Sequence, residues 1–324
     1  MFLYNTLNKE QLLARLKAEK FQRKTLSFYR YVTIDQPMEF RDMLYFRLDT
    51  LACLGRIYVA REGINAQMNL PEHKVEDLIK LLNSIPQLRD MPIKWALEDH
   101  QVSFLKLKIK VRNKIVADGL DEAVFDTTNV GRHLSPLEFH EQSQRDDVIV
   151  VDMRNNYESE VGRFEDAWCP DAQTFREEVE LVVSELADQK NQKILLYCTG
   201  GVRCEKASAW LRHHGFSDVN QLHGGIIAYA AEIKDMGLPS RFIGKNFVFD
   251  ERLGERVTDD VIAHCHTCGN ACDNHYNCSW DPCHKLFIQC DECREPFMGC
   301  CSKNCKHSLV SHNLQPLKPH PYVA

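Results

Sequence analysis

The cysteines of this 324-residue chain are concentrated in one short segment, which constrains its folding more than any other feature of the sequence. Ten of the fourteen cysteines lie between Cys265 and Cys305. Two C-x2-C pairs stand out, Cys265 with Cys268 and Cys290 with Cys293. Cys290 lies 22 positions after Cys268, a spacing close to that of a zinc ribbon. A segment with so few apolar residues needs bound metal to fold, so we predict structural zinc.

The remaining cysteines of the segment are numerous enough for a second metal site. We predict that it consists of Cys278, Cys283, Cys301 and Cys305. The spacing leaves open neighbouring histidines as ligands, disulfide bonds and an iron–sulfur cluster. The N-terminus has neither the charged start nor the apolar core of a signal peptide, so we expect the reducing environment of the cytoplasm. No apolar run approaches the ~18 residues of a membrane span, and we expect no membrane association.

The N-terminal third alternates strand and helix patterns. Residues 1–25 are predicted as a helical arm and residues 26–118 as one domain. Apolar and β-branched patterning marks strands in this domain near 26–34, 55–68 (a hairpin), 93–98 and 104–112. Pro37 and Pro71 open two helices between them. The order β-α-β-β-α-β predicts a ferredoxin-like α+β domain.

One strand of this domain is amphipathic and strongly basic. Residues 104–114 alternate apolar and basic side chains, and the basic ones are Lys106, Lys108, Lys110, Arg112 and Lys114. A solvated sheet face is the ordinary explanation of such alternation. Five like charges repel each other, however, and no acidic residue lies between them. In a chain of net charge −6 this patch favours a phosphate backbone as its partner.

The middle of the chain predicts a parallel α/β sheet, because strands alternate with helices. Residues 119–133 show no period and are interpreted as a linker. Residues 134–238 form the α/β domain, and residues 239–324 form the cysteine-rich C-terminal segment. Capping boxes that begin at Ser135 and Thr174 start two of the helices. Apolar runs predict strands at 148–152, 193–197 and 218–222.

A cysteine follows the strand 193–197 and opens a glycine-containing loop before a helix. The loop and its flanks are Cys198, Thr199, Gly200, Gly201, Val202 and Arg203. Backbone N–H groups in such a loop, together with the positive end of the following helix, hold an anion. We therefore predict Cys198 as an ionised nucleophile, residues 199–202 as its anion-binding ring, and Arg203 as an additional charged donor. A buried structural cysteine is the alternative.

The position of the arginine separates two kinds of cysteine chemistry. Four residues lie between Cys198 and Arg203, whereas cysteine phosphatases have five. The shorter loop resembles that of the rhodanese family, which carries sulfur as a persulfide. Asp152 and Arg154 match the hDxR element of that family, and the resemblance covers residues 130–238. It implies that Asp152 is a third site residue, holding the loop or its arginine. A cysteine protease, which needs a partnered histidine, is the weaker alternative.

Stretches in all parts of the chain resemble the tRNA uridine hydroxylase family. They are AREGINA (60–66), KLKIKVRNKIV (106–116), GRFEDA with PDAQTFRE (162–177), CTGGVRCEKASAWL (198–211) and GKNFVFDERL (244–253). The resemblance implies oxygen-dependent hydroxylation of the wobble uridine of tRNA to 5-hydroxyuridine. Molecular oxygen is then the co-substrate and the anticodon loop the partner. It also implies that Cys198 is essential and that the basic strand contacts tRNA.

Two other functions stay open at the level of sequence. The first is a rhodanese-type sulfurtransferase that carries a persulfide on Cys198. The second is a zinc and RNA-binding module with an inactive loop. Cys204, one helical turn beyond the loop, is either a resolving thiol or a packing residue, and Cys169 either lines the pocket or is a bystander. The electron donor, the choice of tRNA and the oligomeric state have no signal in the sequence.

Overall fold

The computed structural model describes residues 3, 5–98, 102–312 and 314–316. The predicted helical arm and the predicted C-terminal segment each extend beyond these described residues at the chain ends. Among the described residues, no helix combines the length and the apolar character needed to cross a membrane.

The N-terminal domain is a five-stranded sheet with two helices against one face. Its elements are α1 (Lys9–Lys17), β1 (Arg23–Tyr31), α2 (Pro37–Thr50), β2 (Leu54–Ala60), β3 (Gly63–Pro71), α3 (Val75–Asn83), β4 (Lys94–Trp95) and β5 (Leu107–Val111). The strand order is β4-β1-β3-β2-β5. The first four strands of that order pair antiparallel, which confirms the ferredoxin-like topology.

Three details of this domain differ from the sequence prediction. β5 does not continue from β4 but lies at the opposite edge of the sheet, parallel to β2. β1 begins at Arg23, because β3 is long enough to pair Arg23 with Pro71. Pro71 ends β3 and caps one 3₁₀ turn (Glu72–Lys74), so α3 itself begins only at Val75.

The two faces of the N-terminal sheet have opposite chemistry. On one face α2 and α3 cover a core in which Leu44, Leu48, Ile57 and Met68 are fully buried. The other face is polar, because successive strand residues point to opposite sides. The strand register sets one row across this face, formed by Lys94, Ser27, Gln67, Arg56 and Lys108. A single polar surface therefore extends from β4 at one edge to β5 at the other.

Residues 119–133, predicted as a linker, are packed against the middle domain. Leu120 and Phe125 are buried in its core, and the ring of Phe125 lies 5.0 Å from that of Trp210. The segment then enters the strand β6 (Arg132–Leu134). Residues 119–131 form no helix or strand, so the sequence shows no period, yet two apolar side chains fix the segment in place.

The middle domain is a four-stranded parallel sheet with helices around it. After β6 its elements are α4 (Pro136–Gln142), β7 (Val148–Asp152), α5 (Asn156–Ser159), β8 (Gly162–Phe164), α6 (Phe175–Glu185), β9 (Lys193–Tyr197), α7 (Val202–His213), β10 (Asp218–Leu222) and α8 (Gly225–Asp235). The order β6-β10-β9-β7 is parallel throughout, as predicted. Parallel strands end at a common edge, and the loop after β9 lies at that edge.

The C-terminal segment begins as an extension of the middle domain. Its elements are β11 (Phe242–Asn246), β12 (Glu255–Arg256), β13 (His275–Asn277), β14 (Leu286–Ile288), α9 (Asp291–Arg294) and α10 (Lys303–Ser311). β11 pairs antiparallel with β8 and with β12. Beyond them, the short hairpin of β13 and β14 separates two small clusters of buried residues, each containing several cysteines.

Candidate active site

The loop between β9 and α7 encloses the sulfur of Cys198. Cys198 is 1% exposed, and the backbone N–H of Gly201 donates to its Sγ at 3.1 Å. Gly201 has a φ of 98°, a left-handed conformation that favours glycine. On the far side, a Cβ on Gly225 would lie 2.5 Å from the carbonyl oxygen of Cys198, so α8 can approach the loop only with glycine there.

The surroundings of Cys198 favour its thiolate. Burial alone would raise the pKa of this thiol, but it is outweighed by a hydrogen bond from the Cys204 thiol, the charge of Arg203 and backbone N–H groups. Together they lower the pKa of Cys198 to about 5. Burial and the neighbouring thiolate raise the pKa of Cys204 well above its ordinary value, so Cys204 stays protonated and donates. The buried Cys204 thiol therefore stabilises the negative charge on Cys198.

Arg203 is fixed by a carboxylate that the sequence prediction missed. Its Nη1 and Nη2 donate to the two carboxylate oxygens of Glu158 at 2.6 and 2.9 Å. Glu158 is fully buried, and Thr199 Oγ1 also donates to it, at 3.4 Å. The guanidinium therefore acts on Cys198 through its charge, while its fork of donors is occupied by Glu158.

Asp152 lies at the base of the loop, where it pairs with Arg154 and not with Arg203. It accepts two hydrogen bonds from Arg154, at 2.8 and 2.6 Å, and one from the Tyr197 hydroxyl at 2.8 Å. Arg154 in turn donates to the carbonyl of Gly162 at 2.6 Å. Asp152 therefore anchors the end of β7 to β8 and β9, and it is Glu158 that holds the arginine of the loop. The sequence signal for Glu158 is a third capping box, which begins at Asn155.

A second buried carboxyl, Glu178 on α6, lies in the electrostatic environment of the loop. It is fully buried, and neither of its carboxyl oxygens has a hydrogen-bond partner among the described residues. Burial raises the pKa of Glu178 well above its ordinary value, with the positive charge of Arg203 opposing the rise. Burial thus disfavours a negative charge on Glu178, whereas Glu158 is the carboxyl that accepts both hydrogen bonds from the Arg203 guanidinium.

The polar face of the N-terminal sheet covers the loop and encloses a cavity above it. The cavity has a volume of about 430 Å³. Its floor includes Cys198, Thr199 and Gly200, and a Cβ on Gly200 would meet no atom within 4 Å. Its roof is formed by side chains of β1 to β4: Ser27, Tyr29, Arg56, Tyr58, Asn65, Gln67 and Lys94. This volume suits one small organic group.

Three contacts hold the N-terminal sheet in this position. The Tyr29 hydroxyl donates to Glu205 at 2.9 Å, and the Tyr31 hydroxyl donates to the Val202 carbonyl at 3.2 Å. The ammonium of Lys206 pairs with Glu62, the glutamate of the AREGINA stretch, at 2.6 Å. These partners all lie in the first turns of α7, directly after the loop. Docking of the two domains is therefore centred on the site itself.

The chain matches known families along most of its length. Residues 23–115 match the UPF0176 acylphosphatase like domain, residues 135–232 the rhodanese-like domain, and residues 243–306 the rhodanase C-terminal family. The chain is also 55% identical over 307 residues to a tRNA uridine(34) hydroxylase of Leptospira interrogans, a match that covers 95% of this chain and 84% of the relative.

The chain belongs to the tRNA uridine(34) hydroxylase family.

Further hydroxylases of this family show the same extent of similarity. The relative from Photorhabdus laumondii is 48% identical over 308 residues, and that from Enterobacter sp. is 49% identical over 309 residues. Each match covers 95% of this chain and 88% of the relative. The resemblance stated from the sequence motifs is confirmed, and it extends over all three parts of the chain.

In this hydroxylase-family chain the basic strand lies beside β2, at the edge of the sheet whose polar face forms the cavity roof. Lys108 pairs in register with Arg56 and Lys110 with Tyr58, and both β2 residues line the cavity. The charge of Lys110 lowers the pKa of Lys108, so the two ammonium groups repel each other. Lys114 differs, because its ammonium pairs with the buried Asp118 at 2.6 Å.

The other basic residues of the strand differ from Lys114 because none of them has an acidic partner among the described residues. Lys106 and Arg112 are exposed, and Arg112 lies over the ring of Tyr58, 5.8 Å from its centroid. No carboxylate among the described residues pairs with Lys106, Lys108, Lys110 or Arg112. Four of the five predicted RNA-binding residues therefore share one open basic edge, and Lys114 instead fixes the chain that follows.

The eight cysteines predicted as metal ligands come together in two groups of four. One is Cys265, Cys268, Cys290 and Cys293, and the other is Cys278, Cys283, Cys301 and Cys305. Within each group the sulfur atoms lie within 4.8 Å of one another.

The sulfur separations in both groups fit a tetrahedral metal. Those between Cys268 and Cys290 and between Cys283 and Cys301 are 3.7 Å, too long for a disulfide bond. A tetrahedron of sulfurs around zinc, with Zn–S bonds of about 2.3 Å, has edges of about 3.8 Å. Donor type, number and spacing in both groups therefore fit a structural zinc ion.

Proposed function

We propose that this protein hydroxylates uridine 34 of tRNA at C5, giving 5-hydroxyuridine, with molecular oxygen as co-substrate. The observation that carries the proposal is the cavity in which an ionised Cys198 faces the polar side of the N-terminal sheet. The relatives act on the wobble uridine by name. A uracil base turned out of the anticodon loop would fill such a cavity, and single-stranded loops release a base at little cost.

The size and lining of the cavity favour a base over a terminal sulfur atom as the group that enters. A persulfide adds a single atom to Cys198, which the ring of N–H groups accommodates without a roof. The roof instead offers amides, hydroxyls and cations at separate places, among them Asn65, Gln67 and Ser27. Groups of this kind recognise the edge of a uracil ring, which has two carbonyls and one N–H.

The basic edge formed by Lys106, Lys108, Lys110 and Arg112 is proposed to bind the phosphates of the anticodon arm. It lies on the same sheet face as the cavity, and Lys108 is four strands away from Lys94, about 19 Å at 4.8 Å per strand. Lys106, Lys108 and Lys110 changed together to Glu should abolish tRNA binding in a gel-shift titration and leave the fold intact. Unchanged affinity would refute this role.

The two cysteine groups are proposed to hold one zinc ion each. The zinc would stabilise the C-terminal segment, in which α9 and α10 are short and the apolar clusters are small. Because all four donors of each group are cysteines, no ligand position is open for substrate, so each zinc would be structural. Metal analysis of the purified protein should give two zinc ions per chain.

The decisive experiment is mass spectrometry of tRNA nucleosides after incubation with the purified protein, a thiol reductant and oxygen. The expected product is 5-hydroxyuridine, with ¹⁸O from labelled oxygen gas. Sulfur release from thiosulfate, measured in parallel, separates this activity from a sulfurtransferase. Thiosulfate turnover without any hydroxylated uridine would favour the sulfurtransferase, and a deletion strain that keeps its 5-hydroxyuridine would exclude the proposed activity. A tRNA substrate would place the protein in the cytoplasm.

A further inference from the structure

One lysine faces the Cys198 loop from the N-terminal sheet and has no role in the reaction so far. Lys94 lies on β4 and lines the cavity together with Cys198. The Cε of Lys94 lies 3.8 Å from the position that a Cβ on Gly224 would occupy. Gly224 directly precedes Gly225, the glycine that packs against the loop. The Lys94 ammonium lies 4.4 Å from the centre of the Tyr29 ring. Among the described residues no carboxylate lies within ion-pair distance of it, so this cation is not neutralised.

The charged and titratable groups around Lys94 come from four parts of the fold. Tyr29 belongs to β1, Glu205 to α7 and Cys198 to the loop, and His223 follows β10. Burial lowers the pKa of Lys94 to about 8, while the negative charges of Cys198 and Glu205 oppose the fall. Glu205 is already bonded to Tyr29, His133 and Gln221. Lys94 is thus a cation at neutral pH, and its ammonium donates no hydrogen bond to any of the residues that the structure describes.

We propose that Lys94 is a further catalytic residue, donating a hydrogen bond to O4 of the uracil when the Cys198 thiolate adds to C6. The inference rests on the function proposed above. In this step the Sγ–C6 bond forms, the C5–C6 double bond is lost, and its electron pair moves to O4 as an enolate. Lys94 is the cation that stabilises the developing oxyanion, and C5 becomes nucleophilic.

The step predicts an activity that consumes no oxygen. The enolate takes a proton from solvent at C5, giving a neutral adduct. Loss of the original C5 hydrogen as a proton regenerates the enolate, and departure of the thiolate then restores uridine. The net change is exchange of one C5 hydrogen with solvent, so atoms and electrons balance without an oxidant or a reductant. Uridine 34 should therefore exchange its C5 hydrogen in the absence of oxygen.

The test uses the full-length protein and a synthetic anticodon stem-loop in D₂O under anaerobic conditions. The unsubstituted protein should add one mass unit to uridine 34, and Cys198→Ser should add none. Lys94→Met should slow the exchange by about 100-fold, the typical effect of losing one oxyanion donor, with RNA affinity changed by less than about threefold. Lys94→Arg should restore part of the rate. Lys80→Met, on the exposed side of α3, is the matched control and should match the unsubstituted protein.

The outcomes separate the inference from the function on which it rests. If the unsubstituted protein forms no 5-hydroxyuridine in air, the proposed function fails, and this inference fails with it. If it hydroxylates in air but never exchanges the C5 hydrogen, or if Lys94→Met exchanges at the full rate, only the inference is overturned. Should Lys94→Met not fold, the pH profile of the unsubstituted protein decides. Exchange should fall above about pH 8 as Lys94 loses its proton, and a rate that stays constant up to pH 10 would refute the assignment.

Discussion

The Cys198 loop and the C-terminal segment both depend on cysteine, but they control the thiol in opposite ways. At the loop a single sulfur is buried among backbone N–H groups, a protonated thiol and an arginine held by its own carboxylate. The protein itself supplies all the charge balance. In the C-terminal segment eight sulfurs are gathered in two groups of four. Packed thiolates of this kind repel each other unless a metal ion lies between them, so we expect that segment to depend on bound metal, whereas the loop needs none.

Removal of metal should affect the two regions most differently. A strong chelator should unfold the C-terminal segment, because structural zinc contributes on the order of 10 kcal/mol to folding. The alkylation rate of Cys198 should change far less, because no group that holds it is a metal ligand. Cys278→Ser should lower the zinc content from two ions to one per chain. Cys272→Ala is the control, since Cys272 is buried in the same segment but belongs to neither group. Retention of two zinc ions by Cys278→Ser would contradict the grouping.

Removal of the loop thiol should abolish activity and leave the C-terminal segment intact. Cys198→Ser should lower formation of 5-hydroxyuridine by at least about a thousandfold, since a serine hydroxyl does not ionise near neutral pH. Zinc content and thermal stability should stay close to those of the unsubstituted protein. Cys169→Ala is the control, because burial raises the pKa of Cys169 to about 11 and it does not line the cavity. Full complementation of a deletion strain by Cys198→Ser would refute both the hydroxylase and the sulfurtransferase.

The pH dependence of alkylation sharpens the difference between the two kinds of cysteine. The folded protein lowers the pKa of Cys198 from about 9 to about 5, so the thiolate persists across neutral pH and is lost as the pH falls through 5. In the unsubstituted protein the rate of Cys198 modification by iodoacetamide, followed by peptide mass spectrometry, should be level above about pH 6 and fall below pH 5. A rate that rises tenfold per pH unit between 6 and 8 would show an ordinary thiol.

Breaking the buried ion pair behind the loop should have a smaller but clear effect. Glu158→Gln leaves the Arg203 guanidinium against a neutral amide, and loss of one partner from a buried pair costs about 3 kcal/mol. Denaturant unfolding measures this change. Glu165→Gln is the matched control, because Glu165 pairs with Arg241 at an exposed position and should change stability by less than about 0.5 kcal/mol. Equal stability of the two variants would mean that Glu158 does not hold Arg203.

The smallest expected effect is at the contact between the domains. Tyr29→Phe removes the hydroxyl that donates to Glu205, a single hydrogen bond worth about 1 kcal/mol. Because this contact also forms the roof over Cys198, the alkylation rate of Cys198 should rise as the cavity opens more often. Tyr45→Phe is the control for stability, since Tyr45 is a buried residue of α2 in the core of the N-terminal domain. A Tyr29→Phe protein that unfolds at the same denaturant concentration would show that docking does not use this bond.

Much of the fold follows from local patterns in the sequence. The capping boxes at Ser135 and Thr174 start α4 and α6, as predicted. The strands predicted at 148–152, 193–197 and 218–222 are β7, β9 and β10 with the same bounds. These signals are readable because a cap involves residues three apart and a buried strand is a continuous apolar run. The ring of N–H groups around Cys198 is likewise formed by residues close in the chain.

The parts of the site that the sequence did not reveal depend on contacts between distant residues. Glu158 pairs with Arg203, which lies 45 positions later in the sequence, and Lys206 pairs with Glu62 over an even longer sequence separation. Lys94 stands in a two-residue strand with no motif around it. Lys114 continues the basic alternation in sequence, yet leaves the basic edge because the chain turns after β5 and brings Asp118 to its ammonium.

The sequence by itself determined which cysteine the loop encloses and which cysteines come together in groups of four, because spacing along the chain decides what a short loop or a pair of C-x2-C turns can hold. The tertiary structure alone decided what faces that residue. Docking of the N-terminal sheet onto the first turns of α7 turns a polar strand face into the roof of a cavity and brings Lys94 opposite Cys198. That outcome depends on the shapes and charges of two folded surfaces, and no local pattern of residues encodes it.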